Sequence, residues 1–425
     1  MLVDERCLIG VIMKGFSLGL AAFLMLIMSP VRGAQPSDFL YVWAWDKDGR
    51  ESDFLAVIDV AEGSPTYGSV VYSVSSGVAG FAHHSEHQMT DPTGLFVNSW
   101  SAGKTFVMDM AEPAQPRIAR SFAALRDFAF PHSFERLANG NVLATFQRSA
   151  YRPDEPGGLV ELDRNGNFVR GSSAVNDVDP ELRPYSLAPL PTVDRIVSTS
   201  ADMAGERTGH SIQVWRLSDL SLLQTIVLPP GPRGDENENP SEVRVLEDGN
   251  SVIVGTFKCG MYLVENVATK PAVTFLRSFP WAPVGEDDTD CNLPVRIGNF
   301  WVQTVGTTGS LVVLDLQDPN KPAIVSEFFF GVDARPHWIS LEPDGNRIVM
   351  TGGGTLRGGV VLLEIDPASG KLSLVESFRS AGHPFGLSFD RDEWPHGPSG
   401  PAYGHGAVFR KMPTGTVSAK AGSGE

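Results

Sequence analysis

The chain has 425 residues, with 34 Lys and Arg against 50 Asp and Glu and a formal charge of −16 at pH 7. With no cluster of basic residues, that balance excludes nucleic acid as a partner, because phosphate binding demands concentrated Lys and Arg. Forty-four Gly and 31 Pro among short Val/Ile/Leu runs point to a turn-rich, all-β globular protein.

In chain order, the first feature is an apolar run from Phe16 to Met28 (FSLGLAAFLMLIM), after Lys14 and before the small residues Gly33 and Ala34. The run is shorter than the roughly 20 residues of a membrane span and has the layout of a cleaved export signal. Residues 1–34 are therefore expected to be a signal peptide, the alternative being an uncleaved anchor. The mature chain then starts near Ala34 or Gln35, is periplasmic or secreted, and has no membrane span after signal removal. Cys7 leaves with the signal. Cys259 and Cys291 remain, either as a disulfide in an oxidising compartment or as two separate thiols.

Beyond the signal the sequence repeats. Three segments share an opening strand, a turn of the Asp-Gly or Asn-Gly kind and a second strand: PHSFERLANGNVLATF (131–146), SEVRVLEDGNSVIVGTF (241–257) and HWISLEPDGNRIVMTGG (337–353). Third strands follow as GGLVELD (157–163), GMYLVENV (260–267) and GGVVLLEID (358–366). With the more degenerate units, opening strands fall near 83, 132, 185, 241, 294 and 337, spaced by 43 to 56 residues. That is the size of a four-stranded propeller blade. Residues 38–74 supply three strands without an opener, and His405-Gly406-Ala407-Val408-Phe409 can provide it. The expected fold is one domain over 35–412, an all-β seven-bladed β-propeller closed by its C-terminal strand, with residues 413–425 a disordered tail. A pair of β-sandwiches would leave the repeat unexplained.

In such a ring the opening strands line the central channel and run the same way, so residues at their starts surround one mouth. His83 or His84, His132, His337 and His405 hold that position. His132 and His337 each lie eight residues before a turn glycine, Gly140 and Gly345. Ring order puts their blades side by side. Imidazoles without carboxylates suit copper or zinc. The pleat turns neighbouring residues to opposite faces, so His83 and His84 can both ligate only where the strand is irregular. By the same rule Phe134 shares a face with His132, while Ser133 and Glu135 take the other. His87 is expected to point elsewhere; His210, His383 and His396 sit in loops. Two acidic stretches, Asp235–Glu238 and Glu286–Asp290, precede opening strands as solvated loops, with calcium a second option. No GxSxG elbow, Walker loop, HExxH or CxxC is present.

These residues resemble the selenium-binding protein / methanethiol oxidase family over roughly 38–410. The resemblance rests on the His83-His84 pair, the PHS…LANG strand at 131–140 and the tail GPAYGHGAVF (400–409). The Tyr185-led strand and DLQDPNKPAIVSEFF (315–329) add to it. The family's bacterial members are exported copper enzymes that turn methanethiol, O2 and water into formaldehyde, hydrogen sulfide and hydrogen peroxide. The resemblance implies copper as cofactor, a small thiol and O2 as substrates, and His83, His84, His132 and His405 as ligands, with His337 a spare ligand or catalytic base. Two positions depart from the pattern. Gly68 follows Ser64-Pro65-Thr66-Tyr67 where the family has its selenium-linked cysteine, and Glu135 stands where it has a second histidine. Two other readings are a non-catalytic propeller with the histidines as polar filler and a lactonase-like hydrolase using Glu242 and Asp290.

Overall fold

In the computed structural model, residues 37–280, 291–331, 333–356 and 358–410 are described. They form seven four-stranded antiparallel sheets and a small two-stranded ribbon, with no α-helix among the described residues. Each sheet is one blade. The inner strands are Ala82–Ser85 (blade 2), Phe128–Arg136 (blade 3), Pro184–Leu190 (blade 4), Pro240–Val245 (blade 5), Pro294–Ile297 (blade 6) and Ala334–Leu341 (blade 7). Blade 1 is composite. Its inner strand Ala402–Phe409 pairs antiparallel with Phe39–Asp46, from Leu40 opposite Phe409 to Asp46 opposite Ala402. The C-terminal strand thus closes the ring by giving blade 1 its fourth strand.

Burial follows position within the blade. The third strand of blade 1, Phe54–Asp59, is buried at every residue, whereas the outer strand Arg117–Phe122 of blade 2 alternates between exposed and half-buried. Middle strands are covered by the blades on both sides; outer strands have one wet face. Trp43 of blade 1 packs on Phe106 of blade 2, ring centroids 5.6 Å apart, and Trp215, Trp301 and Trp338 are also fully buried. Burying each such side chain contributes about 1.5–3 kcal/mol. Blade 7 is tied to blade 1 by Arg347, which binds the Glu342 carboxylate and donates to the carbonyls of Val60 and Ser37 at 2.9 Å each.

Turn glycines take left-handed φ at Gly140 (86°) and Gly249 (64°), as their turns require. In blade 7 the position falls on Asp344 (φ 58°) and not on Gly345. Cys259 and Cys291 form a disulfide across a sequence separation of 32. The expected signal peptide, the expected C-terminal tail and the acidic stretch Glu286–Asp290 lie outside the described residues. No helix among the described residues is long and apolar enough to cross a membrane.

Candidate metal centre

Six of the seven inner strands share one irregularity. Between Ala82 and Ser85 the pairing shifts, so that three steps on blade 2's inner strand face two on its neighbour, Ser99 to Val97. This is a β-bulge, in which one extra residue interrupts the alternation of faces. Equivalent shifts lie between Pro131 and Phe134, Pro184 and Leu187, Pro240 and Glu242, and Pro336 and Trp338. A further shift opposite Val42 and Ala44 spans His405. Phe81 and Phe130, each two residues before a histidine, take left-handed φ of 58° and 56°. The bulge lets His83 and His84 both turn to the channel. It also overturns the strict alternation expected around His132, because Ser133 turns inward with it.

In blades 2, 3 and 4 a polar residue on the second strand holds the bulge in place. Asn98 accepts the His84 amide through Oδ1 at 2.7 Å and donates from Nδ2 to the Pro131 carbonyl of the next blade at 2.7 Å. Thr145 does the same one blade on, accepting the Ser133 amide at 3.0 Å and donating to the Tyr185 carbonyl at 2.7 Å. Thr199 accepts the Ser186 amide and donates to Ser241, both at 2.9 Å. The bulge leaves an amide without its ladder partner, and a buried N–H left so costs about 1–3 kcal/mol. Sequence reasoning missed these residues. Their signal was present: Asn98, Thr145, Thr199, Thr304 and Thr351 occupy one position of their blades.

Five histidines meet at the bulges. The His83 and His84 rings stack with centroids 4.3 Å apart and planes 10° from parallel. His132 lies 4.1 Å from His84 and 5.0 Å from His83; His405 lies 4.3 Å from His83 and 4.6 Å from His337. Their donor nitrogens fall into two groups within 4.8 Å, namely His83, His84, His132 and His83, His337, His405. The four histidines implied as ligands and the expected base His337 therefore come together, but not as a single set of four.

One nitrogen of several rings is already committed. His132 Nδ1 bonds the Tyr185 carbonyl at 2.9 Å and the Ser133 hydroxyl at 3.2 Å, and His84 Nδ1 meets the same hydroxyl at 3.1 Å. A carbonyl only accepts, so His132 carries its proton on Nδ1 and its Nε2 is left with a lone pair. A ring N–H of His405 donates to the His83 carbonyl. The opposite nitrogens, His84 Nε2, His132 Nε2 and His405 Nδ1, are buried without a hydrogen-bond partner, as is His83 Nδ1. Burial first, and the neighbouring imidazoles second, push His83 and His84 well below the usual histidine range. Burial takes His132 down to about 3, against the opposing bond to Tyr185. At neutral pH these rings are uncharged, the form that ligates. Buried, neutral, nitrogen-only donors with unused lone pairs fit a bound metal ion of the kind imidazole favours.

Above the cluster lies a cavity of about 640 Å³, walled by Trp45, Phe81, Met203, Phe257 and Tyr403 and floored by His83, His337 and His405. Further along the inner strands a second cavity of about 300 Å³ is lined by His87, Glu135, Arg136, Arg244 and Arg296. Trp338 separates the two, 5.0 Å from His84 on one side and stacked on His87 at 5.1 Å on the other. Glu135 and His87 thus line the far cavity, and burial pushes the Glu135 carboxyl up to about 7. His396 is held by Ser73 and Ser399, at 2.6 and 3.0 Å, and His383 lines a surface hollow. Glu236 of the first acidic stretch is buried and accepts the Arg233 and Gly234 amides, which is a structural role.

No family model matches the chain. A methanethiol oxidase of Hyphomicrobium sp. is 29% identical over 322 residues, 72% of this chain and 66% of that protein. The chain thus spans just under two thirds of that relative's length. A methanethiol oxidase of Ruegeria pomeroyi is 23% identical over 361 residues, 73% of this chain and 77% of that protein. Among solved structures, a hypothetical selenium-binding protein from Sulfolobus tokodaii superposes with a TM-score of 0.70 at 15% identity, over 91% of this chain and 96% of that one, a likeness of fold. With seven blades closed by the last described strand and its histidines gathered at one mouth, the chain is similar in sequence to methanethiol oxidases and in fold to a selenium-binding protein.

Proposed function

We propose that this protein is an exported, copper-dependent oxidase of small thiols, converting methanethiol, O2 and water to formaldehyde, hydrogen sulfide and hydrogen peroxide. The observation that carries this reading is the cluster of buried, uncharged imidazoles beneath an aromatic cavity, in a chain similar to methanethiol oxidases. Imidazoles of this cluster, drawn from His83, His84, His132 and His405, would hold the metal. Copper, when bound, supplies a soft centre that favours the thiolate and exchanges single electrons.

The chain's own residues do the rest. The Tyr185 carbonyl and the Ser133 hydroxyl keep His132 and His84 in the tautomers whose Nε2 faces the cluster. Trp45, Phe81 and Tyr403 line the approach with apolar surface, which favours an uncharged thiol over water. Trp338 and His87 block the channel below, so substrate has access from one mouth. A lactonase-like hydrolase gains no support from Glu242, which is bound to Arg244 at 2.7 Å and Ser186 at 2.9 Å; Asp290 lies outside the described residues.

The test is metal analysis of protein purified from the export compartment, followed by methanethiol turnover. Copper bound to the native chain and depleted in His132→Ala, together with release of hydrogen sulfide and peroxide, is the expected result. A chain that stays metal-free after copper loading leaves only a non-catalytic propeller.

A further inference from the structure

We infer that the five histidines form two metal positions that share His83, rather than a single four-histidine site. This rests on the reading that the cluster binds metal and assigns His337 as a ligand, not the base expected from the sequence. Two triads share His83, and within each the donor atoms lie within 4.8 Å of one another. His84 stacks on His83 at 4.3 Å and His405 approaches His83 at 4.3 Å, with His84 and His405 5.8 Å from each other. His83 is the element common to both halves.

The halves have different surroundings. His83, His337 and His405 floor the large cavity, whereas His84 and His132 do not reach it. The inner triad, His83, His84 and His132, is closed in by Ser133, Tyr185 and Trp338. Three protein ligands with the next position open is the arrangement of a metal that meets substrate, and the outer triad alone offers it. The inner triad, which reaches the cavity through His83 alone, is a site for a retained ion. One imidazole nitrogen binds one metal. Occupancy of both positions therefore requires His83 to use both ring nitrogens, and its remaining N–H proton leaves to solvent as the second ion enters.

The experiment loads the full metal-depleted chain with excess Cu(II), removes unbound metal, and reads copper by mass spectrometry and paramagnetic resonance. The native chain is expected to hold about two ions, the outer one stripped first by a chelator. Magnetic coupling through the shared ring should weaken the resonance below that of two independent ions. His337→Ala and His405→Gln are each expected to hold about one ion with an uncoupled signal. A native chain with one ion, unchanged in His337→Ala, overturns the inference and leaves the metal reading intact. Two ions retained in both variants place the second elsewhere and overturn it equally. A chain that takes up no copper overturns both. The native stoichiometry requires no variant, so a misfolded mutant does not decide the outcome.

Discussion

Replacing Ser133 by alanine removes one oxygen from a fully buried position and takes an acceptor from two histidines at once. That hydroxyl lies 3.1 Å from His84 Nδ1 and 3.2 Å from His132 Nδ1. Tyr185 still holds His132 by its carbonyl at 2.9 Å, whereas His84 loses the partner that fixes its tautomer. A neutral hydrogen bond contributes about 0.5–1.5 kcal/mol, so two such bonds are worth about 1–3 kcal/mol. At about 1.4 kcal/mol per decade that is a roughly fivefold to hundredfold loss of metal affinity, in the range found when outer partners of metal-bound histidines are removed. Competition against a chromophoric chelator measures it directly, with metal stoichiometry checked in parallel. If Ser133→Ala keeps native stoichiometry and an affinity within twofold of native, the hydroxyl does not set the tautomer and the reasoning fails.

Asn98→Leu should be more severe, because it strands the buried His84 amide and cuts the tie to Pro131; a loss of about 2–4 kcal/mol in urea unfolding is expected, and an unchanged midpoint would show the bulge to be self-supporting. Replacing Cys259 and Cys291 by alanine releases a loop spanning 32 positions and should cost about 3–4 kcal/mol, seen as a lowered melting temperature that reductant does not lower further. Arg347→Met leaves Glu342 buried without its partner and should cost about 3–5 kcal/mol, which calorimetry would register as the largest drop in this set. For the metal-free chain, His132 with a folded pKa near 3 binds fewer protons than when unfolded, so its contribution is intact above about pH 6.5 and is lost as pH falls toward 3, at about 1.4 kcal/mol per unit. Glu135, raised to about 7, works the other way between about pH 7 and 4.5. Acid unfolding should therefore be steepest below about pH 4.5 and move to lower pH when metal is bound; a metal-independent midpoint would contradict the site.

The blades could be read from residues because their determinants are local. Turn residues recur around Gly140, Gly249 and Gly345 at a fixed distance from the opening strand, and alternating apolar runs follow. Ring closure by residues 405–409 followed from counting strands, since one blade lacked an opener. The gathering of His83, His132, His337 and His405 followed from repeat equivalence alone. What stayed hidden depends on tertiary contacts. A bulge is one residue of slack, and whether it sits at His83 is decided by Asn98 fourteen residues on and by Pro131 in the next blade. Strict alternation consequently misplaced Ser133. The division of the histidines into two triads depends on ring directions, which sequence spacing does not carry.

Closure by the strand Ala402–Phe409 also fixes an order of events. Leu40 pairs with Phe409, and the same strand carries His405 into the cluster. A chain still emerging from the ribosome can fold blades from its N-terminal side, but it can neither complete the ring nor present the outer triad until its last described strand has docked. Assembly of the β-structure and assembly of the donor set are therefore one step, taken late. A chain clipped before residue 402 would be at once an open propeller with an unpaired edge, exposed to proteases, and a protein without the His405 ligand. The cell is thereby spared partly built copies that capture metal through a complete outer site before they are whole.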